Sequence, residues 1–142
     1  MKTILKLFAF GLFLAFAPAV YAQVAIIAHP SVPEGEVDRR DLLQIYGLNK
    51  QNWSNEDKII VFDFGQGIDV NEKSVFYDNL GRGQAVFFRR WAKKKYSGET
   101  NIPTLVKTSD EMIELVSKTP GAIGYVSASS VPDGVKVLAT IN

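Results

Sequence analysis

Residues 120–126 read Pro-Gly-Ala-Ile-Gly-Tyr-Val, and the rest of the chain can be interpreted outward from this stretch. Pro120 and Gly121 are residues that end helices, and the apolar and glycine residues after them predict a buried strand. The helix that stops there has an apolar face made of Met112, Ile113, Leu115 and Val116. A helix followed at once by a buried strand is typical of α/β domains.

The same alternation continues towards both ends of the chain. We predict strands over 24–28, 59–62, 122–127 and 135–140 from their apolar, partly β-branched runs. Helices are predicted to begin at Asp38, at Asp69, near residue 83 and at Thr108 or Ser109, each at a residue or turn that suits a helix start. The pattern predicts one lobe of three layers, in which helices cover both faces of a mixed, mostly parallel sheet.

The first 22 residues have the composition of a signal peptide. Lys2 and Lys6 precede an apolar run of eleven residues, 7–17, and small residues at positions 20 and 22 suit a signal peptidase. The alternative is an uncleaved anchor, but a membrane-spanning helix needs about 20 apolar residues. We therefore expect cleavage after Ala22, a periplasmic or otherwise exported protein without a membrane span, and a single domain over 23–142.

The composition restricts the chemistry of the protein. The chain has no cysteine, so disulfides, thiol catalysis and cysteine-bound metals are excluded. Its single histidine, His29, lacks the two or three further ligands that a zinc site needs. Ser31 and Ser109 lack the context of a catalytic nucleophile, and Gly65-Gln66-Gly67 is not followed by the Gly-Lys-Ser/Thr of a phosphate loop. We expect no enzyme activity, no metal and no cofactor.

Charge is distributed unevenly between the two halves of the predicted domain. Residues 23–78 hold ten acids and five bases, whereas residues 79–142 hold nine bases and five acids. Many of these bases lie on the predicted helix 83–97, where Ala85, Phe88, Trp91, Ala92 and Tyr96 are predicted to form the buried face. The basic residues are a solvated helix face or a patch for an anion or a partner; nucleic acid is not expected for an exported protein. The candidate partner-binding residues are Arg89, Arg90, Lys93 and Lys94.

Three groups of residues carry a resemblance to a known family. They are Ile45-Tyr46-Gly47-Leu48-Asn49 with Trp53, then Trp91 with Tyr96 and Gly98, and finally Gly121-Ala122-Ile123-Gly124-Tyr125. In this order and spacing they resemble phosphate-type ABC transporter substrate-binding proteins. The resemblance implies one lobe of the type 2 periplasmic-binding-protein kind. It also implies a role in binding a small solute, with phosphate or another oxyanion as candidates, for transport or sensing.

The segment that corresponds to the family's anion site has changed. Phosphate-binding members place an arginine and a Ser-Gly-Thr segment where the strand at 59–62 meets the next helix. This chain has Asp63, Gly65, Gln66, Gly67 and Asp69 there. The glycines still allow close backbone approach, but two carboxylates repel an anion. We name Ser31, Asp63, Gly65, Gln66 and Gly67 as candidate ligand-binding residues; the alternative is that both segments are ordinary connections.

A second function is compatible with the same residues. The lobe could be a ligand-free protein–protein module that docks on an envelope transporter, receptor or sensor. The basic helix and Trp53 would then supply the contacts, because Trp and Arg are enriched at binding hot spots. Trp53 could equally be a core residue that anchors its loop.

Overall fold

The computed structural model describes residues 23–142, so the predicted signal peptide lies outside the described residues. The elements in chain order are β1 (Val24–Ala28), α1 (Arg39–Tyr46), β2 (Ile60–Phe64), α2 (Asn71–Leu80), α3 (Gln84–Tyr96), β3 (Thr104–Val106), α4 (Ser109–Lys118), β4 (Ala122–Ser127), a 3-10 turn (Ala128–Ser130) and β5 (Lys136–Ile141). The predicted alternation of strands and helices is confirmed, but the short strand β3 was not predicted.

The five strands form one mixed sheet in the order β3-β2-β4-β1-β5. The pairs β2–β3 and β2–β4 are parallel, whereas β1 runs antiparallel to both β4 and β5. Strands β2, β3 and β4 therefore end at the same edge, which we call the carboxyl edge. The opposite edge, where they begin, is the amino edge, and β1 ends there.

The two faces of the sheet can be identified from neighbouring residues of β4. A side chain at Gly124 would meet Met112 and Val116, so α4 covers that face. The next residue, Tyr125, stacks on Phe76 of α2 at 4.0 Å between ring centroids. Because successive strand residues point to opposite faces, α2 and α4 lie on opposite sides of the sheet. The predicted three-layer architecture is confirmed.

Two tryptophan side chains connect the segments that carry the family resemblance. The indole N–H of Trp53 donates to the carbonyl of Gly121 at 2.9 Å, and that of Trp91 donates to the carbonyl of Tyr46 at 2.7 Å. Trp53 and Trp91 are both buried. Trp53 is therefore a core residue that anchors its loop, and the suggestion that it forms part of an exposed partner surface was wrong.

Helix α3 buries a different face from the predicted one. Phe87 and Trp91 are buried, with Phe88 half-buried beside them, while Ala85 and Ala92 are exposed and Tyr96 is 96% exposed. The predicted apolar face lies to one side of the observed buried face on the helix surface, because the prediction relied on Ala and Tyr, which occur in both buried and exposed positions. Three of its five residues, Ala85, Ala92 and Tyr96, therefore lie on the solvent side.

Several element boundaries also differ from the sequence expectation. Helix α1 begins as predicted, with Asp38 and Asp41 forming a capping box. Helix α2 begins one residue later than expected, after Val70, which makes no side-chain capping bond, so Asp69 is not its cap. Strand β2 extends to Phe64 and so includes Asp63, which the sequence interpretation had placed in the turn.

Candidate functional site

The turn that joins β2 to α2, residues 65–70, lies at the carboxyl edge beside the centre of the sheet. Gln66 and Gly67 are exposed there, and Gly67 has a left-handed φ of +84° with nothing within 4 Å of a potential Cβ. The turn is closed by the Ile68 N–H, which donates to the carbonyl of Gly65 at 3.1 Å. The Gly67 backbone is thus open to approach by another molecule.

Helix α2 starts directly after this turn. Its N-terminus has no side-chain cap. The N–H of Lys73 donates to the Val70 carbonyl at 3.2 Å, whereas those of Asn71 and Glu72 remain available to a ligand. Such N–H groups and the helix dipole favour groups that accept hydrogen bonds, anions above all. Asp69 and Glu72 oppose an anion, whereas the ammonium group of Lys73 lies 3.2 Å from the Gly65 carbonyl and supplies a positive charge. Lys73 was not recognised from the sequence, because a lysine inside a helix has no distinguishing pattern.

The connectivity of the sheet points to the same edge. Strand β2 leads to β3 on one side, while β4 leads past β1 to β5 on the other side. In open α/β sheets, ligands bind where neighbouring connections diverge in this way, outside the carboxyl ends of the strands. Here that position lies between the turn 65–70 and the loop 127–130, which contains Ser127, Ser129 and Ser130. The serine loop was also missed, because its position next to β2 depends on the strand order.

Asp63 lies one residue before the end of β2 but points into the core, where it is fully buried. Its carboxylate accepts hydrogen bonds from the Tyr77 hydroxyl, the Tyr125 hydroxyl at 2.5 Å, the Phe64 N–H at 2.8 Å and the Gln84 amide at 3.3 Å. Burial raises the pKa of Asp63, and the hydrogen bonds from Tyr125, Tyr77 and Gln84 oppose that rise. These contacts show a structural role for Asp63, with no exposed oxygen for a solute.

Ser31 lies at the other end of the sheet. It follows the end of β1 at the amino edge, and its hydroxyl accepts from the Gly121 N–H at 3.1 Å and lies 2.7 Å from Nδ1 of His29. The antiparallel direction of β1 is the reason for this separation. The structure therefore brings Gly65, Gln66 and Gly67 together but does not place Ser31 or the Asp63 carboxylate beside them.

The candidate partner-binding residues lie on one side of α3. Arg89, Arg90 and Lys93 are exposed, and Lys94 is half-buried. They are remote in sequence from the turn 65–70, but Gln84 links the start of α3 to the end of β2, because its amide donates to the Phe64 carbonyl at 2.7 Å. Among residues 23–142, no three His, Asp or Glu side chains form a cluster that could hold a metal ion.

Comparison with known protein families identifies the lobe. The model of a family described as the PBP superfamily domain matches residues 13–140. The chain belongs to this superfamily. No curated protein is recognisably similar to it in sequence.

Solved structures of similar fold agree with membership of the PBP superfamily. A protein from Clostridium perfringens, assigned as a phosphate ABC transporter substrate-binding protein and solved with bound phosphate, has 22% identity and a TM-score of 0.62 over 82% of this chain. PstS from Borrelia burgdorferi has 21% identity and a TM-score of 0.57 over 84%. An ABC-type phosphate transport receptor from Vibrio cholerae has 20% identity and a TM-score of 0.55 over 82%.

The PBP-superfamily chain spans only about half of each of these proteins, between 45% and 48% of their length. At these identities the likeness establishes the fold, and the predicted resemblance to phosphate-binding proteins is confirmed at that level. Within residues 23–142, no helix has both the length and the apolar composition needed to cross a membrane.

Proposed function

We propose that this PBP-superfamily domain is an extracytoplasmic solute-binding lobe that serves transport or sensing and has no catalytic role. The solute would bind at the carboxyl edge, between the turn 65–70 and the loop 127–130. The observation that carries the proposal is the exposed Gly67 turn in front of the uncapped N-terminus of α2. Its N–H groups, Lys73 and the nearby serine hydroxyls form a set of hydrogen-bond donors on one edge.

The charges around this edge restrict the kind of solute. Asp69 and Glu72 flank the donors, so a multiply charged anion would lose part of the attraction that the helix provides. A small solute that both accepts and donates hydrogen bonds, including a protonated oxyanion, suits this mixture best. Since a good site buries about 70–90% of its ligand, we expect one open edge alone to bind weakly.

A thermal-shift titration tests the proposal. The purified protein is titrated with phosphate, sulfate and uncharged small metabolites, because a ligand that binds only the native state stabilises it by about 2.7 kcal/mol at 100 times its Kd. We expect a reproducible rise in Tm with one solute, and we expect Gly67→Ala to reduce that rise.

The matched control is Gly134→Ala. Gly134 also has a left-handed φ, +93°, and nothing within 4 Å of a potential Cβ, but it precedes β5 at the amino edge. Both changes strain the backbone to a similar extent, roughly 1–2 kcal/mol. If no solute shifts Tm, or if both variants reduce the shift equally, the proposed site is refuted.

A further inference from the structure

The exposed side of α3 carries a concentration of unpaired positive charge. Residues 79–98 contain six basic residues and no acid. Among residues 23–142 the recorded ion pair joins Lys118 to Glu114, and none of the six bases is paired with a carboxylate. Arg89 and Lys93, like Arg90 and Lys94, are like charges four residues apart, an arrangement that weakens a helix. The protein thus maintains this charge without an internal partner for it.

Next to this charge, α1 and α3 enclose a groove. Its volume is about 240 Å³, and Arg82 and Arg90 lie on its lining with Val86 between them in sequence. Helix α1 contributes Leu43 and Gln44, and Asn49, which lies beyond the end of α1, is also part of the lining. Val86 is 40% exposed although it is apolar. The lining therefore combines two guanidinium groups, two amides and the apolar side chains of Leu43, Val86 and Phe87.

The groove belongs to a well-fixed part of the protein. Trp91 anchors α3 to the carbonyl of Tyr46 at the end of α1, and Gln84 anchors its first turn to the end of β2. Arg90 makes one long contact, 3.4 Å, to the Gly47 carbonyl, so most of its N–H donors remain free. Because these contacts already order the face of α3, binding of a partner would cost less conformational entropy of this helix.

We propose that the groove between α1 and α3 is a docking site for an acidic segment of a partner protein. Carboxylates of the segment would form bidentate pairs with Arg82 and Arg90, and an apolar side chain would enter the groove against Val86 and Leu43. Lys93 and the 96%-exposed Tyr96, further along α3, would extend the contact. An acidic partner is chosen on charge complementarity, because the lining of the groove contains two arginines and no acid.

An acidic peptide suits these observations better than a membrane surface. Helices that lie on membranes present a broad face of large apolar residues beside their basic ones. The exposed part of α3 offers only Val86 and Tyr96 as large apolar residues, and the groove is concave and contains the polar side chains of Gln44 and Asn49. This inference is independent of whether the carboxyl edge binds a solute.

Fluorescence anisotropy with a labelled peptide of glutamate and leucine at helical spacing tests the proposal. We expect the purified protein to bind this peptide and Arg82→Gln/Arg90→Gln to weaken the binding by roughly tenfold or more. A peptide of the same charge with serine in place of leucine should bind more weakly. Both arginines are exposed, so we expect the double variant to keep the Tm of the wild type.

The control is Lys58→Gln/Lys107→Gln, which removes the same charge at exposed loop positions outside α3. It should change the peptide affinity by less than about twofold. Equal loss in both double variants, or no loss in either, would overturn the proposal. It would also be overturned if Arg82→Gln/Arg90→Gln instead abolished binding to phosphatidylglycerol vesicles, or self-association in sedimentation, while peptide binding stayed unchanged.

Discussion

At the scale of single residues, Asp63 is the most unusual group in the described chain. It is the buried charged residue of the core, and it has four hydrogen-bond donors but no cation. Burial and the neighbouring Asp63 carboxylate also raise the pKa of Tyr77 and Tyr125, so both phenols stay protonated and continue to donate. The network joins α2, α3 and β4 to β2 directly behind the candidate solute site.

The Asp63 network predicts a difference between two tyrosines. Tyr125→Phe removes a phenol that donates to a buried carboxylate, and such charge-assisted bonds are worth about 1.5–3 kcal/mol. Tyr46→Phe is the matched control, because the equally buried Tyr46 hydroxyl donates to the neutral carbonyl of Phe62 at 3.0 Å, a bond worth about 0.5–1.5 kcal/mol. Urea unfolding at a pH above the raised pKa of Asp63 should show the larger loss for Tyr125→Phe; equal losses there would argue against a buried charge at Asp63.

The raised pKa of Asp63 predicts how stability changes with pH. Above the ordinary value of 3.8, the folded protein keeps a proton on Asp63 that the unfolded chain has released. The contribution of this group to the free energy of unfolding therefore falls as pH rises from 3.8 through the raised pKa. Asp63→Asn cannot titrate, so the stability of the wild type relative to this variant should be greatest near the low end of that window. Urea unfolding of both proteins from acid to neutral pH measures this, and a constant difference would contradict it.

At the scale of elements, the segment Gly121–Tyr125 shows why the sequence landmarks recur in this order. The carbonyl of Gly121 accepts from both the Trp53 indole and the Ile60 N–H, and its own N–H donates to Ser31. Gly124 leaves room for Met112 of α4. These contacts hold β4 against its neighbours. The residues that resemble the family therefore lie mainly at packing positions rather than at positions that contact a ligand.

The close packing at the start of β4 predicts that two glycine substitutions lower the free energy of unfolding by different amounts. At Gly121, which has a φ of +78°, a Cβ would collide with the carbonyl oxygen of Lys58. Gly134 has a similar φ but open space around it, so Gly134→Ala should cost only the backbone strain of roughly 1–2 kcal/mol. Gly121→Ala should cost at least about 1 kcal/mol more, since overpacking adds about 1–3 kcal/mol. Urea unfolding measures the free energy of unfolding of both variants. Equal losses would show that the start of β4 shifts enough to accommodate the added methyl group.

Sequence patterns predicted the positions of the elements better than they predicted which face of each element is buried. Asp38 and Thr108 cap α1 and α4 as predicted, because capping depends on bonds within one turn. The predicted buried side of α3 was wrong, because contacts with other elements determine which residues of that helix face the core: Trp91 meets α1, Phe87 meets α2 and Gln84 meets β2. Asp63 was likewise assigned to a turn, because a carboxylate in a buried strand needs partners from α2, α3 and β4 that are distant in sequence.

At the scale of the whole molecule, the first strand of the domain occupies an interior position in the sheet. β1 lies between β4 and β5, and all five of its residues are buried. Its partner strands are about a hundred residues away in sequence. The sheet is therefore complete only when residues near the two ends of the described chain pair with each other. Because β1 is the strand with which β5 pairs, β5 can stay in the sheet only while β1 is in place.

Hydrogen exchange should reflect this position. We expect the backbone amides of β1 to exchange more slowly than those of the edge strands β3 and β5, by at least roughly tenfold, because interior strands open only with the global unfolding of the domain. Mass-spectrometric exchange of peptides that cover residues 24–28, 104–106 and 136–141 provides the comparison. Exchange in β1 as fast as in β5 would contradict this expectation and would mean that β1 leaves β4 together with β5.

The sequence alone determined the α/β class, the order of most elements and the likeness to phosphate-type binding proteins, because these depend on local periodicity, caps and spacing. It also named Gly65, Gln66 and Gly67 as candidate ligand-binding residues, which the structure places in one turn. Only the tertiary structure decided which candidates share an edge. Because β1 runs antiparallel to its neighbours, Ser31 lies at the amino edge and the serines of 127–130 lie at the carboxyl edge with the turn. Strand direction and order depend on contacts across the whole chain, and no local pattern records them.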